Sequence, residues 1–126
     1  METEQYFDVI DEGIAAFKTN KKCWVSKDTH SDWLVFDTRK IGWSRDGMNF
    51  FIQIFPNFDD EEKIISWTLY AAAWFDKTKG RYSLDKVFAD KVPLKEIADN
   101  ILPLLNESYN YINSFRKFDL PKVLDF

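Results

Sequence analysis

The hydrophobic pattern between Ile41 and Phe75 contains more apolar residues than one buried face of a small sheet requires. Asp46-Gly47 predicts a two-residue type I′ hairpin, because both central residues of that turn need positive φ. The turn places Arg45 opposite Met48. The register that follows pairs Ser44 with Asn49, Trp43 with Phe50, Gly42 with Phe51 and Ile41 with Ile52.

This register divides the hairpin into two faces, because side chains alternate across a strand. The predicted core face carries Ile41, Trp43, Phe50, Ile52 and Ile54. The other face mixes polar residues with two large aromatic ones, namely Lys40, Ser44, Asn49, Gln53, Phe51 and Phe55. Two exposed phenylalanines on one strand give this second face a surplus of apolar surface.

Residues 63–75 predict a third long strand with the same division. Its apolar row is Ile65, Trp67, Leu69, Ala71, Ala73 and Phe75, and its mixed row is Ile64, Ser66, Thr68, Tyr70, Ala72 and Trp74. A helix is the competing interpretation, because alanine favours helices. The β-branched and aromatic residues at 64–70 favour the strand.

The remaining elements follow from local patterns. Thr3–Lys18 is predicted to be an amphipathic helix that buries Phe7, Ile10, Ile14 and Phe17. Before the hairpin we expect a short strand at 23–25, a polar loop at 26–31 and a strand at 33–36 that turns at 37–39. A polar connection is expected at 57–62 and a turn at 76–80. The C-terminal part is predicted to contain a short helix at 83–88, a long helix at 93–115 kinked at Pro103, and an extended tail at 120–126.

The order of these elements predicts an α+β fold. We expect a two-layer sandwich, with an antiparallel meander of about four strands and the N-terminal and C-terminal helices packed on one face. The 126 residues suit a single domain spanning 1–126, which is large enough to bury a core without disulfides.

Helices on one face would leave the other face of the meander open, and such a face is normally polar. Here it carries a contiguous patch that is typical of an interface. The predicted interaction face is Phe51, Gln53, Phe55, Ser66, Thr68, Tyr70 and Trp74. Three alternatives remain open: the sheet or the C-terminal tail covers the patch, the chain associates with itself, or the patch binds a partner or ligand.

Residues for catalysis are scarce. His30 is the single histidine, and its neighbours Ser31 and Asp32 complete the residue types of a hydrolase triad, but sequence neighbours on one loop do not adopt the required geometry. Cys23 has no activating neighbour apart from Lys21 and Lys22. We therefore expect no catalytic site and a protein that is not an enzyme.

The acidic run Asp59, Asp60, Glu61 and Glu62 lacks the spaced oxygen ligands and internal glycine of a calcium loop. We interpret it as a solvated loop that helps to engage a partner. The four glycines form no phosphate-binding loop. The sequence thus predicts no metal and no cofactor.

Charge and cysteine content narrow the expected partners. The net charge of −4 disfavours nucleic-acid binding. One cysteine cannot form an intramolecular disulfide, and the chain shows no secretory signal and no long apolar segment, so we expect a cytoplasmic protein without membrane contact.

The function that fits these features is a small non-enzymatic protein-binding module of the inhibitor, immunity-type or accessory kind, a profile shared by many small bacterial proteins. Its contact surface would be the open aromatic face, and its partner another protein or a second copy, as a possible homodimer. The alternative is a small-ligand-binding domain or minor enzyme with a pocket between the sheet and the kinked C-terminal helix near Pro103.

Overall fold

A computed structural model of the chain describes residues 2–30 and 36–126. These residues form an α+β fold with one antiparallel sheet, in which six strands lie in chain order. The elements are α1 (Thr3–Lys18), β1 (Trp24–His30), β2 (Phe36–Arg45), β3 (Met48–Phe58), β4 (Ile64–Lys77), β5 (Gly80–Val92), α2 (Leu94–Asp99), α3 (Ile101–Ile112) and β6 (Lys122–Leu124), with one 3₁₀ turn (Lys117–Asp119) before β6.

The hairpin between β2 and β3 has the predicted register. Asp46 and Gly47 take φ values of 53° and 77°, as a type I′ turn requires. Arg45 pairs with Met48, and the predicted pairing continues unchanged to Ile41 and Ile52. The turn therefore decides which residues of both strands face the core.

The core lies on the predicted face of the sheet. Phe7 of α1 meets Trp67 of β4 edge-on, with ring centroids 5.3 Å apart. Trp43 stacks on Phe50 at 5.5 Å, and its indole N–H donates to Asn113 Oδ1 at 3.0 Å, beyond the end of α3. One buried cluster joins the strands and helices through Phe7, Ile10, Ile14, Phe17, Ile41, Trp43, Phe50, Ile52, Ile54, Trp67, Leu69, Ala71, Ala73, Phe75, Leu94, Ile97, Ile101, Leu105 and Ile112.

A partly buried ion pair links α1 to β2. The Arg39 side chain is only 8% exposed. Its Nε donates to Asp11 Oδ1 at 2.7 Å, and its guanidinium lies 4.5 Å from the centroid of the Phe7 ring. Burial by itself would raise the pKa of Asp11, but the hydrogen bond and positive charge of Arg39 outweigh it and lower that pKa.

The prediction for Ile65 is wrong. Asn57 pairs with Ser66, whereas Phe58 pairs with Ile64, so Ile65 is an extra residue in a β-bulge. The bulge reverses the alternation at the start of β4. As a result Ile64 packs against the core and the Ile65 side chain is 64% exposed.

The sheet has six strands rather than about four, because three segments expected to be loop, helix or tail pair with neighbouring strands. Residues 26–30, predicted as a loop, belong to β1, and the turn predicted at 37–39 lies inside β2. The two strands pair from Trp24 with Gly42 to His30 with Phe36. The strand predicted at 33–36 falls mostly outside the described residues.

The short helix predicted at 83–88 is also wrong, because this segment belongs to β5. Its side chains alternate, so Tyr82 and Leu84 lie toward the core opposite Phe75 and Ala73 of β4. The Tyr82 and Phe75 rings stack at 5.0 Å. Serine is a common N-cap residue, but pairing with a long neighbouring strand overrides this local preference at Ser83.

The C-terminal helix breaks earlier than predicted. It divides at Asn100 into α2 and α3, and Pro103 is the third residue of α3 rather than a kink inside one helix. A proline ring clashes with the carbonyl four residues earlier, which here is that of Asp99, but proline fits the first turn of a new helix. The predicted tail is partly ordered, since β6 pairs with β5 through Arg81 and Tyr82.

The first testable prediction concerns the core contact between α1 and β4. Trp67→Ala should lower the free energy of unfolding by about 3–5 kcal/mol, because it leaves a cavity under Phe7. Denaturant unfolding followed by circular dichroism measures this. Ile65→Ala on the same strand is the control and should change stability little, and equal losses for the two variants would contradict the assigned faces.

The second prediction concerns the Asp11 and Arg39 pair. Because the pKa of Asp11 is lowered in the folded state, the unfolded chain binds a proton at this carboxyl more readily than the folded chain does. The pair therefore stabilises the fold at pH values above the ordinary carboxyl pKa. This stabilisation is lost as the pH falls below about 4. Urea unfolding of wild type and Asp11→Asn at several pH values should show a smaller loss toward acid pH in the variant. Identical slopes would contradict the assignment.

Candidate protein-interaction face

The outer face is the side of the sheet opposite the buried cluster, formed by alternate residues of β1 to β5. Strand pairing arranges these residues in rows that cross the strands. One row is Trp24, Gly42, Phe51, Ala72 and Asp85. The next row is Ser26, Lys40, Gln53, Tyr70 and Val87.

Tyr70 lies at the centre of an aromatic cluster on this face. Its ring meets Phe51 at 5.5 Å and Phe55 at 5.4 Å, both edge-on. Its hydroxyl donates to Gln53 Oε1 at 3.1 Å. All four side chains are half-buried. The structure thus brings together four residues of the predicted interaction face and leaves them accessible to solvent.

Trp74, the fourth aromatic residue of the predicted interaction face, lies near the end of β4 that leads into the turn to β5. The Arg81 guanidinium lies 4.5 Å from the centroid of its ring and also donates to Asp76 Oδ1 at 2.8 Å. Lys40 places its ammonium 4.2 Å from the Phe51 centroid. Basic side chains therefore stack on two of the predicted aromatic rings.

Trp24 belongs to the outer face, although sequence reasoning assigned it to a short strand without a role. Its side chain is 51% exposed. Its ring lies directly over Gly42, so that a Cβ at position 42 would collide with it. A glycine inside a strand often marks such a close approach, and Gly42 was the signal that could have located Trp24.

Two shallow hollows divide the outer face. The larger, of about 610 Å³, is lined by Thr38, Gln53, Phe55, Pro56, Phe58, Tyr70, Asp85 and Val87. The smaller, of about 350 Å³, is lined by Lys40, Phe51, Tyr70, Ala72, Trp74, Arg81, Ser83, Leu84 and Asp85. Tyr70 and Asp85 line both, so they form the boundary between the two hollows.

Ser66 and Thr68 lie beyond the cluster and are held by Asn57. The Asn57 side-chain amide donates to Thr68 Oγ1 at 2.8 Å and to Ser66 Oγ at 3.2 Å. Thr68 is 4% exposed and also accepts the backbone N–H of Lys91. These two residues support the edge of the outer face and offer little surface themselves.

The acidic loop follows Phe58, which lines the larger hollow. Asp59 closes it, because its Oδ1 accepts the backbone N–H groups of Glu61 and Lys63, each at 2.9 Å. Glu61 pairs with the Lys63 ammonium at 3.2 Å, and both are largely exposed. Neither the Asp60 nor the Glu62 carboxylate forms an ion pair with any of the described residues. Their negative charge is therefore available to solvent or a partner.

Cys23 and His30, the candidate catalytic residues, lie at opposite ends of β1, and Ser31 and Asp32 lie outside the described residues. Cys23 is half-buried just before β1, and burial raises the pKa of its thiol despite Lys21 and Lys18 nearby. His30 ends β1, and its side chain is not described. Across residues 2–30 and 36–126, no group of three or more His, Cys, Asp and Glu is placed to hold a metal ion.

A separate hollow of about 480 Å³ lies between β5 and the helices α2 and α3. It lies where the alternative interpretation expected a pocket, beside Pro103. Phe88, Ala89, Asp90, Val92, Glu96, Ile97, Asn100, Pro103, Leu104 and Glu107 line it.

Within the part of the chain described, no helix is long and apolar enough to cross a membrane. No family model, no curated protein and no solved structure matches this chain. The arguments for function therefore rest on the chain's own residues.

The third prediction concerns the titration of Tyr70. Its pKa is raised, first by burial and second by the negative charge of Asp85. Asp85→Asn should lower the pKa of Tyr70 without returning it to the ordinary tyrosine value of about 10, because burial persists. A pH titration of the Tyr70 ring by NMR measures both values. An unshifted pKa in wild type would contradict the cluster as described.

Proposed function

We propose that the chain is a small non-enzymatic protein-binding module of the inhibitor or accessory kind, acting in the cytoplasm through the outer face of its sheet. In this proposal the helices form one layer and the sheet the other, so that the helices occupy the core face and the outer face is left for a partner. The predicted residues Phe51, Gln53, Phe55, Tyr70 and Trp74 supply the contact surface.

The observation that supports this proposal is the half-exposed cluster around Tyr70. The solvent face of an antiparallel sheet is normally polar. Here edge-on contacts and a hydrogen bond already hold the rings in place. Tyrosine and tryptophan at the centre of an interface frequently carry most of the binding free energy, and residues that are ordered in advance lose little entropy on binding.

The acidic loop extends this surface. It begins directly after Phe58 and so borders the larger hollow on the outer face. Exposed carboxylates at an interface rim influence association rate and partner choice more than affinity. We propose that Asp60 and Glu62 select among partners, while the aromatic cluster supplies the affinity.

A second candidate is the binding of a small ligand in the hollow beside Pro103. Its volume of about 480 Å³ falls within the usual range of ligand pockets. Apolar side chains such as Leu104 and the carboxylates Asp90, Glu96 and Glu107 line it, which is a mixture that suits an apolar ligand with a polar or cationic group. A ligand in this hollow would leave the outer face unchanged.

The fourth prediction tests the outer face directly. Tyr70→Ala combined with Trp74→Ala should abolish capture of at least one protein that the wild-type chain retains from its native cell extract, because both aromatic anchors are removed. Quantitative mass spectrometry of proteins retained by the two immobilised chains makes the comparison. Captured copies of the chain itself count as a partner.

Lys95→Ala combined with Asp99→Ala is the matched control. These residues form an exposed ion pair on α2, away from the outer face, and their loss should leave the captured set unchanged. Thermal unfolding confirms that each variant is folded. If the aromatic double variant captures the same proteins and has the same mass in solution as wild type, the outer face has no binding role.

A further inference from the structure

We infer that the outer face binds a second copy of the chain, in a face-to-face dimer whose two-fold axis runs along β3. This inference rests on the proposed function, because it uses the same contact surface, and it adds the identity and geometry of one occupant. It follows from the positions of Trp24, Lys40 and Asp85 on the two sides of β3 and of the aromatic residues along β3 itself.

β3 is the middle strand of the five that form the outer face. On one side, β1 and β2 contribute Trp24 and Lys40. On the other side, β5 contributes Asp85 and Val87. The Trp24 N–H and the Lys40 ammonium thus lie on one flank, and the Asp85 carboxylate lies on the other. Each flank also carries one further charge, namely Asp28 of β1, opposite Thr38, and Arg81 of β5, which is held by Asp76.

The Asp85 carboxylate has no hydrogen bond and no ion pair to any residue in the described part of the chain, although it borders both hollows. Lys40 likewise has no ion pair there, and its ammonium rests over Phe51. The Trp24 indole is half-exposed and donates to none of the described residues. All three groups are therefore available to a partner.

A two-fold axis parallel to β3 exchanges the flanks of the two copies. Trp24 and Asp85 are each two strands from β3 in the same cross-strand row, so each Trp24 comes to lie over Asp85 of the second copy. Lys40 moves over β4 of the second copy, where it is one strand spacing of about 4.8 Å across the sheet and two residues, or about 7 Å, along the strand from Asp85. Its flexible stem can span such an offset.

The same rotation places like aromatic residues of β3 against each other. Phe51 and Phe55 lie on the axis strand and would pack against their counterparts, which is the self-complementary arrangement of an isologous interface. When two sheets pack face to face, their strand directions usually differ by no more than about 30°. The strands of both copies would therefore run nearly parallel to the two-fold axis.

The size of the surface also fits a second copy. Five strands and the seven residues from Asn49 to Phe55 span roughly 24 Å in each direction, or about 600 Å² in projection. A rough surface exposes more area than its projection, and a standard interface buries about 800 Å² per partner. A copy of this chain supplies a carboxylate for Trp24 and Lys40 and, by the same rotation, supplies donors for Asp85.

The fifth prediction uses reciprocal charge changes in the purified full chain, with sedimentation equilibrium as the measurement. Wild type should dimerise, and Lys40→Glu and Asp85→Lys should each raise the dissociation constant by about tenfold or more, because each places like charges together. An equal mixture of the two variants should regain the dimer, since both cross-contacts are then of opposite sign. Lys95→Glu on α2 is the control of equal charge change and should dimerise like wild type.

Asp85→Asn keeps the inference testable if the charge reversals disturb folding, and it should weaken the dimer less than Asp85→Lys does. A wild-type chain that stays monomeric at every concentration would overturn the inference, and so would a dimer insensitive to positions 40 and 85. If the chain is monomeric but capture of another protein still requires Tyr70 and Trp74, only the second-copy inference fails. If capture is also independent of those residues, the proposed function fails with it.

Discussion

The hairpin turn at Asp46-Gly47 is the constraint on which the rest of the structure depends. Its two positive φ angles hold β2 and β3 in a single register. A shift by one residue would move every side chain to the opposite face, taking Trp43 and Phe50 out of the core. The buried cluster on this face and the aromatic cluster on the other both require that register.

The two faces use aromatic residues for different purposes. On the core face, the Phe7 ring of α1 packs against Trp67, and the burial of Trp67 stabilises the fold. On the outer face, Tyr70 is held by neighbouring rings and by Gln53 but keeps part of its surface in water. An ordered apolar surface that is still solvated retains free energy for binding, which is why we propose the outer face as the surface for partner contact.

Local signals predict the turn, α1 and the buried rows, because periodicity and positive φ act within a few residues. Pairing between distant segments cannot be read in this way. The bulge that exposes Ile65 depends on the register with β3, and β5 replaces a predicted helix because β4 offers it a partner. Trp24 reaches the outer face only through its pairing with Gly42, so the sequence located the cluster around Tyr70 but not its flanks.

NMR shifts of backbone amides, recorded as the chain is concentrated, test the central claim most directly because they report contact at every residue at once. If the outer face binds a second copy of the chain, the amides of Phe51, Gln53 and Tyr70 shift with concentration while those of α2 stay constant. Shifts confined to the helices would contradict the outer face as the contact surface, and a chain without shifts at any concentration would contradict the second-copy dimer.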